Sequence, residues 1–171
     1  MNPIFFSLAI ALSAAVSGLA IPAHAAAGHS YEFGAPGKPA SATRSITVNL
    51  ADNYYEPDAI SVKQGETVRF VLKNNGELQH EFSIGTLAAH TEHRKEMAQM
   101  MEMREMDHSK MVMPSKAGKP MRHDDPNMVL LAPGESKELL WKFTRAMEIE
   151  FACNMPGHYE SGMLGRIDFF K

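Results

Sequence analysis

Apolar and polar side chains alternate with a period of two through most of this chain. Ile46, Val48 and Leu50 alternate with polar neighbours, and Val68, Phe70 and Leu72 repeat the pattern. So do Ile60 and Val62, then Leu139, Trp141 and Phe143, and near the end Ile167 and Phe169. This is the signature of half-buried strands, each with one face turned to a core. Lys63-Gln-Gly-Glu66, Asn74-Asn-Gly76 and Ala132-Pro-Gly134 are turns between them. About seven short strands punctuated this way predict an all-β antiparallel sandwich or Greek-key barrel. No stretch reads as a parallel-sheet crossover helix, and no internal repeat is visible.

Two strands carry chemistry within the alternation. His80, Phe82 and Ile84 share one strand face, so His80 points the same way as two apolar residues. Ile149, Phe151 and Cys153 do the same, which directs Cys153 inward. After Cys153 come His158 and Met163, with four residues in each gap, on the loop that joins the last two strands. Thiolate, imidazole and thioether form a soft donor set, and copper suits it, with Met as a weak axial ligand. One equatorial ligand is missing, and His80 is placed to supply it.

The alternation breaks between about 86 and 126. Thr91 to His108 is rich in helix formers such as Glu92, Lys95, Glu96, Gln99 and Glu102. On a helix, His90, His93, Met97, Met100, Met101 and His108 fall within one arc. A looser tail adds Met111, Met113, Met121 and His123. A methionine stripe at helical spacing usually packs a helix onto a core. Yet Val112 is the only Leu, Ile or Val between Thr91 and Met121, a stretch with eight methionines. Thioethers select Cu(I), and nearby imidazoles extend the choice to Cu(II). A second copper site and simple packing therefore both stand as readings of this insertion.

The first 25 residues read as a cleaved export signal, with Ile4 to Leu19 apolar and Ala23-His-Ala25 as the cleavage motif. The stretch Met1-Asn-Pro3 lacks Lys and Arg, which keeps an uncleaved anchor open as the alternative. Residues 26–44, with Gly34, Pro36, Gly37 and Pro39, read as a flexible leader, and 45–171 as the folded domain. Export places the lone cysteine in an oxidising compartment, where a bound metal protects a thiol. The chain has 171 residues, 44 % of them hydrophobic, enough for one domain. A net charge of −3 gives no reason to expect nucleic-acid binding.

The segments Tyr55-x-Pro57, Ile60-x-Val62, Gly65-Glu66-x-Val68-x-Phe70, His80-x-Phe82-x-Ile84, Pro133-Gly134 and Cys153-x4-His158-x4-Met163-x-Gly165 together resemble the cupredoxins. The likeness is to the plastocyanin and azurin group, with ligand-loop spacing similar to the rusticyanin type, over about residues 45–85 and 127–171. It also extends to exported copper-tolerance cupredoxins that have a Met/His-rich insertion. The resemblance implies a cupredoxin-like Greek-key sandwich. It further implies a type 1 copper centre, cycling between Cu(I) and Cu(II), with His80, Cys153 and His158 equatorial and Met163 axial. Many electron-carrying members have Asn or Ser directly after the first histidine; this chain has Glu81.

Two functions follow as expectations. One is copper handling in the periplasm, with a further Cu(I) capacity in the insertion. The other is soluble electron transfer through the type 1 site alone. Copper ions are the expected partners, along with transient redox or copper-transfer proteins, and no membrane contact is expected after signal cleavage. Enzymatic activity is not expected: one domain and one Cys do not build multicopper or binuclear centres, and no nucleophilic triad is evident.

Overall fold

The computed structural model describes residues 31–106 and 125–171. The expected signal segment, His108, Met111, Met113, Met121 and His123 lie outside these residues. Two five-stranded sheets face one another. The first contains β1 (Gly34–Pro36), β2 (Arg44–Ala51), β3 (Tyr54–Glu56), β5 (Thr67–Asn74) and β8 (Ser136–Phe143), in the order β1-β8-β5-β2-β3. The second contains β4 (Ala59–Lys63), β6 (His80–Gly85), β7 (Met128–Leu131), β9 (Ile149–Ala152) and β10 (Leu164–Phe170), in the order β4-β10-β9-β6-β7. One α-helix, α1 (Leu87–Met106), separates β6 from β7.

The alternation seen in the sequence is what fills the space between the sheets. Val48, Leu50, Val68, Phe70, Leu72, Leu139, Trp141 and Phe143 of the first sheet are buried. They meet Ile60, Val62, Phe82, Ile84, Ile149, Phe151 and Ile167 of the second in one core. Phe82 and Phe151 stack with centroids 5.2 Å apart, and Tyr55 packs edge-on against both.

The sheets are not purely antiparallel as the sequence suggested. β2 runs parallel to β5, with Ile46 opposite Phe70 and Val48 opposite Leu72, and β4 runs parallel to β10. The cause is connectivity: the chain leaves the first sheet to form β4, then returns as β5 beside β2. Greek-key crossovers of this kind leave no trace in local periodicity.

The stretch read as a loose leader contains β1, which pairs with β8. Phe33 just before it is buried, and with Tyr31 it packs around Trp141 at centroid separations of 5.6 and 5.5 Å.

All six residues of β6 are buried. His80, Phe82 and Ile84 face the interior, while the intervening Glu81 reaches α1. Thr86 caps that helix: its Oγ1 accepts the N–H of Ala89, satisfying one of the free donors of the first turn.

Candidate metal centre

Three donors converge at one end of the second sheet. His80 begins β6, Cys153 follows β9, and His158 sits on the loop that leads to β10. His80 Nδ1 lies 3.2 Å from His158 Nδ1, and Cys153 Sγ lies 3.3 Å from the same nitrogen. Among the described residues these three form the one group of His, Cys, Asp and Glu donors close enough to share an ion, all within 4.8 Å.

Backbone bonds set the loop. The Cys153 N–H donates to Met163 O at 3.1 Å, and the Met163 N–H to His158 O at 3.0 Å, so all three loop residues are tied together. Gly157 and Gly162 take φ of 85° and 96°, a left-handed conformation that side-chain-bearing residues rarely adopt. These glycines let the chain fold back between Cys153 and Met163, carrying Met163 into the interior, where it is fully buried.

His80 and Cys153 are also fully buried, whereas His158 is half-buried. Burial pushes the Cys153 thiol up to about 12, although the N–H groups of Glu81 and Met155 pull the other way. A cation on the sulfur offsets that burial and takes the thiolate directly. Burial, and then the neighbouring His80, hold His158 below its usual range, which keeps its imidazole neutral and able to ligate. A thiolate, two imidazoles and a buried thioether on the same loop are the donors copper selects. The residues present therefore fit that metal.

Groups around the donors orient them. The Glu81 N–H donates to Cys153 Sγ at 3.3 Å. The Glu81 carboxylate, 1 % exposed, accepts from Asn154 Nδ2 at 2.6 Å through Oε1 and meets His93 Nε2 at 3.0 Å through Oε2. His90 Nδ1 lies 3.2 Å from Asn154 Oδ1, so α1 reaches the residue after Cys153 directly through His90 and indirectly through the His93–Glu81 contact. Burial is the main reason His90 titrates low. For His93 burial acts in the same direction, but the Glu81 hydrogen bond and surrounding carboxylates outweigh it and raise its pKa. Farther along α1, the Arg94 guanidinium lies 3.7 Å over the Tyr159 ring, next to His158.

Within the insertion, His90 and Met97 are buried, His93 and Met100 are partly buried, and Met101 is 47 % exposed. His90 lies within hydrogen-bond distance of Asn154, and His93 of Glu81. A cavity of about 230 Å³ beside them is lined by Ser83, Glu92, Glu96 and Asp125. The sequence reading missed Asn154 and Asp52. Asn154 had one available signal, its place directly after Cys153. Asp52 had none, because it meets His80 only through the fold.

Two facing sheets with this donor set at one end define a cupredoxin, and the chain belongs to that family. The cupredoxin-like domain family matches residues 9–117, a span that includes His80. The copper-resistant cuproprotein CopI of Pseudomonas aeruginosa is 51 % identical over 156 residues, covering 85 % of this chain and 86 % of that protein. Proteins with the same name from Rubrivivax gelatinosus and Vibrio cholerae are 39 % and 34 % identical. Those two alignments cover 85 % and 80 % of this chain, and 79 % and 72 % of theirs. Among solved structures, reduced auracyanin from Roseiflexus castenholzii superposes with a TM-score of 0.57 at 20 % identity, covering 76 % of this chain and 99 % of its own. Auracyanin A, a "blue" copper protein from Chloroflexus aurantiacus, gives 0.51 at 19 % identity, covering 74 % and 99 %. These two comparisons speak to the fold alone. No helix among the described residues is long and apolar enough to cross a membrane.

Proposed function

We propose that this cupredoxin handles copper in the periplasm. It holds one ion at His80, Cys153, His158 and Met163, and takes up further Cu(I) with the insertion. The convergence of His80, Cys153 and His158 within 4.8 Å carries the first half of this reading. The names of the relatives, copper-resistant cuproproteins, support resistance as the purpose. Residues 1–25 act as the export signal, the mature chain begins near Ala26, and the domain works by binding copper, with no catalysed reaction assigned to it.

The second capacity rests on composition. Met97, Met100 and Met101 stand on α1 near His90 and His93, and His108 follows in sequence. Soft donors at that density favour Cu(I). Electron transfer is the second reading, favoured by the half-buried His158, which brings the centre to the protein surface as a transient redox partner requires.

A Cu(I) titration of the mature protein against a competing chelator separates them, run beside Cys153→Ser. Two or more ions in the native protein, with only one lost in the variant, support copper handling with a second site. One ion in the native protein and none in the variant leaves the insertion as packing and favours the electron carrier.

A further inference from the structure

We propose that Asp52 is a positioning residue of the copper centre: its carboxylate holds the outer nitrogen of His80 and thereby turns the inner nitrogen to the metal. The proposal rests on the reading of His80 as a ligand. Asp52 lies in the turn between β2 and β3, remote in sequence from every ligand. Its Oδ1 is 2.9 Å from His80 Nε2, on the opposite side of the ring from Nδ1, which faces His158. A neutral imidazole carries one N–H and one lone pair. With a carboxylate at Nε2 the N–H resides there, and the lone pair falls on Nδ1, beside Cys153 and His158. Metal-ligating histidines commonly donate their other nitrogen to such a partner, which fixes the tautomer and raises ligand basicity.

The carboxylate is itself held in place. The Glu77 N–H reaches both of its oxygens at 3.1 Å, and the Leu78 N–H reaches Oδ1 at 3.2 Å. Gly76 leaves the room: a Cβ there would stand 2.3 Å from Asp52 Oδ1. The loop that donates these N–H groups runs directly into His80. One side chain thus fixes both the imidazole and the segment that delivers it. Its negative charge beside the ligand also favours Cu(II) over Cu(I).

The test uses the full mature chain as Asp52→Asn, Asp52→Ala and Gly76→Ala, with His80→Ala as control. Cu(II) and Cu(I) affinities are measured by chelator competition, and the His80 tautomer by ¹⁵N NMR of the metal-free protein. Asn keeps an acceptor for the loop N–H groups but removes the charge. Expected is a loss of about 10–100-fold in Cu(II) affinity, typical for such partners, with Cu(I) affinity little changed. At about 59 mV per tenfold for one electron, that raises the potential by roughly 60 to 120 mV. Asp52→Ala adds a population of the Nδ1–H tautomer, and Gly76→Ala shifts both readouts in the same direction. Wild-type affinity ratios and an unchanged tautomer in the two Asp52 variants overturn the proposal, even if thermal stability drops, because Asp52 is then only a loop staple. If instead His80→Ala itself retains native copper binding, the ligand reading fails and the Asp52 proposal fails with it.

Discussion

Glu81 Oε2 lies 3.0 Å from His93 Nε2, and this contact joins the Met-rich helix to the strand that carries His80. The same carboxylate accepts from Asn154, the residue after Cys153, while its backbone N–H donates to the Cys153 sulfur. One residue therefore links β6, α1 and the ligand loop. An Asn or Ser at this position would tie the two ligand segments together, but neither carries a carboxylate's charge. Charge close to the thiolate favours Cu(II). Glu81→Gln should keep the hydrogen bonds and raise the reduction potential, by about 60 mV for each tenfold change in relative affinity. Protein-film voltammetry measures it, and a potential unchanged in this variant sinks the idea.

The His93 side of that contact makes a stability prediction. His93→Ala leaves a carboxylate oxygen that is 1 % exposed without this partner. An unsatisfied buried acceptor costs about 1–3 kcal/mol. Urea unfolding of the metal-free variant should show a loss in that range, with partial recovery in His93→Gln. A wild-type midpoint in His93→Ala would mean that other groups satisfy Glu81.

Much of this arrangement was legible because it repeats locally. The period of two located the core positions from Val48 to Ile167, and four-residue gaps placed His158 and Met163 after Cys153. What was not legible depends on register between distant segments. Asp52 reaches His80 only because the β2–β3 turn lies against the loop before β6. The parallel pairing of β2 with β5 reflects strand order, which periodicity does not encode. Gly34 and Pro36 looked like leader residues, yet a Cβ at Gly34 would sit 2.2 Å from Trp141 Nε1. That glycine is a contact with a tryptophan far along the chain, and nothing nearby in sequence signals it. The arc of His90 and His93 on α1 reads in the sequence equally as a copper-binding face or as packing. Their hydrogen bonds to Asn154 and Glu81 became visible only once α1 was laid over β6.

Acid should weaken the first sheet's connection to the second through Glu66. Burial disfavours its charged form, but hydrogen bonds from Arg44 and the Lys63 N–H outweigh this and hold its pKa below the usual 4.5. Arg44 Nε lies 2.7 Å from Glu66 Oε1, and its Nη2 also reaches Ser61 O on β4. A lowered folded pKa means stabilisation that is complete above the unfolded value and lost as pH falls through the folded one. Glu66→Gln should therefore be less stable than wild type at pH 7, by about 1 kcal/mol or less for a pair this exposed. The difference should vanish at acid pH below the folded pKa. Urea midpoints of the metal-free proteins across pH 2 to 7 check it, and a gap that persists in acid would assign the effect to packing.

The four proposed donors should separate by what each removes. Cys153→Ser takes away the thiolate and with it the charge-transfer colour that copper draws from sulfur; full colour in this variant would overturn the site assignment. His80→Ala opens a position in the equatorial plane and should leave the copper exchangeable with added ligands such as imidazole. Met163→Leu is the discriminating case. Met163 is fully buried, and its backbone is bonded to both Cys153 and His158, so an isosteric leucine should preserve the loop and cost less than about 1.5 kcal/mol. The copper should stay, because a thioether in this set is a weak axial ligand whose main effect is on the potential. Losing it withdraws a soft donor that favours Cu(I), but also leaves a more apolar site that disfavours the higher charge of Cu(II). The second effect prevails at a side chain as fully buried as Met163, so the potential should rise. A Met163→Leu protein with native copper content and an unmoved potential would show that the thioether packs the loop without meeting the metal.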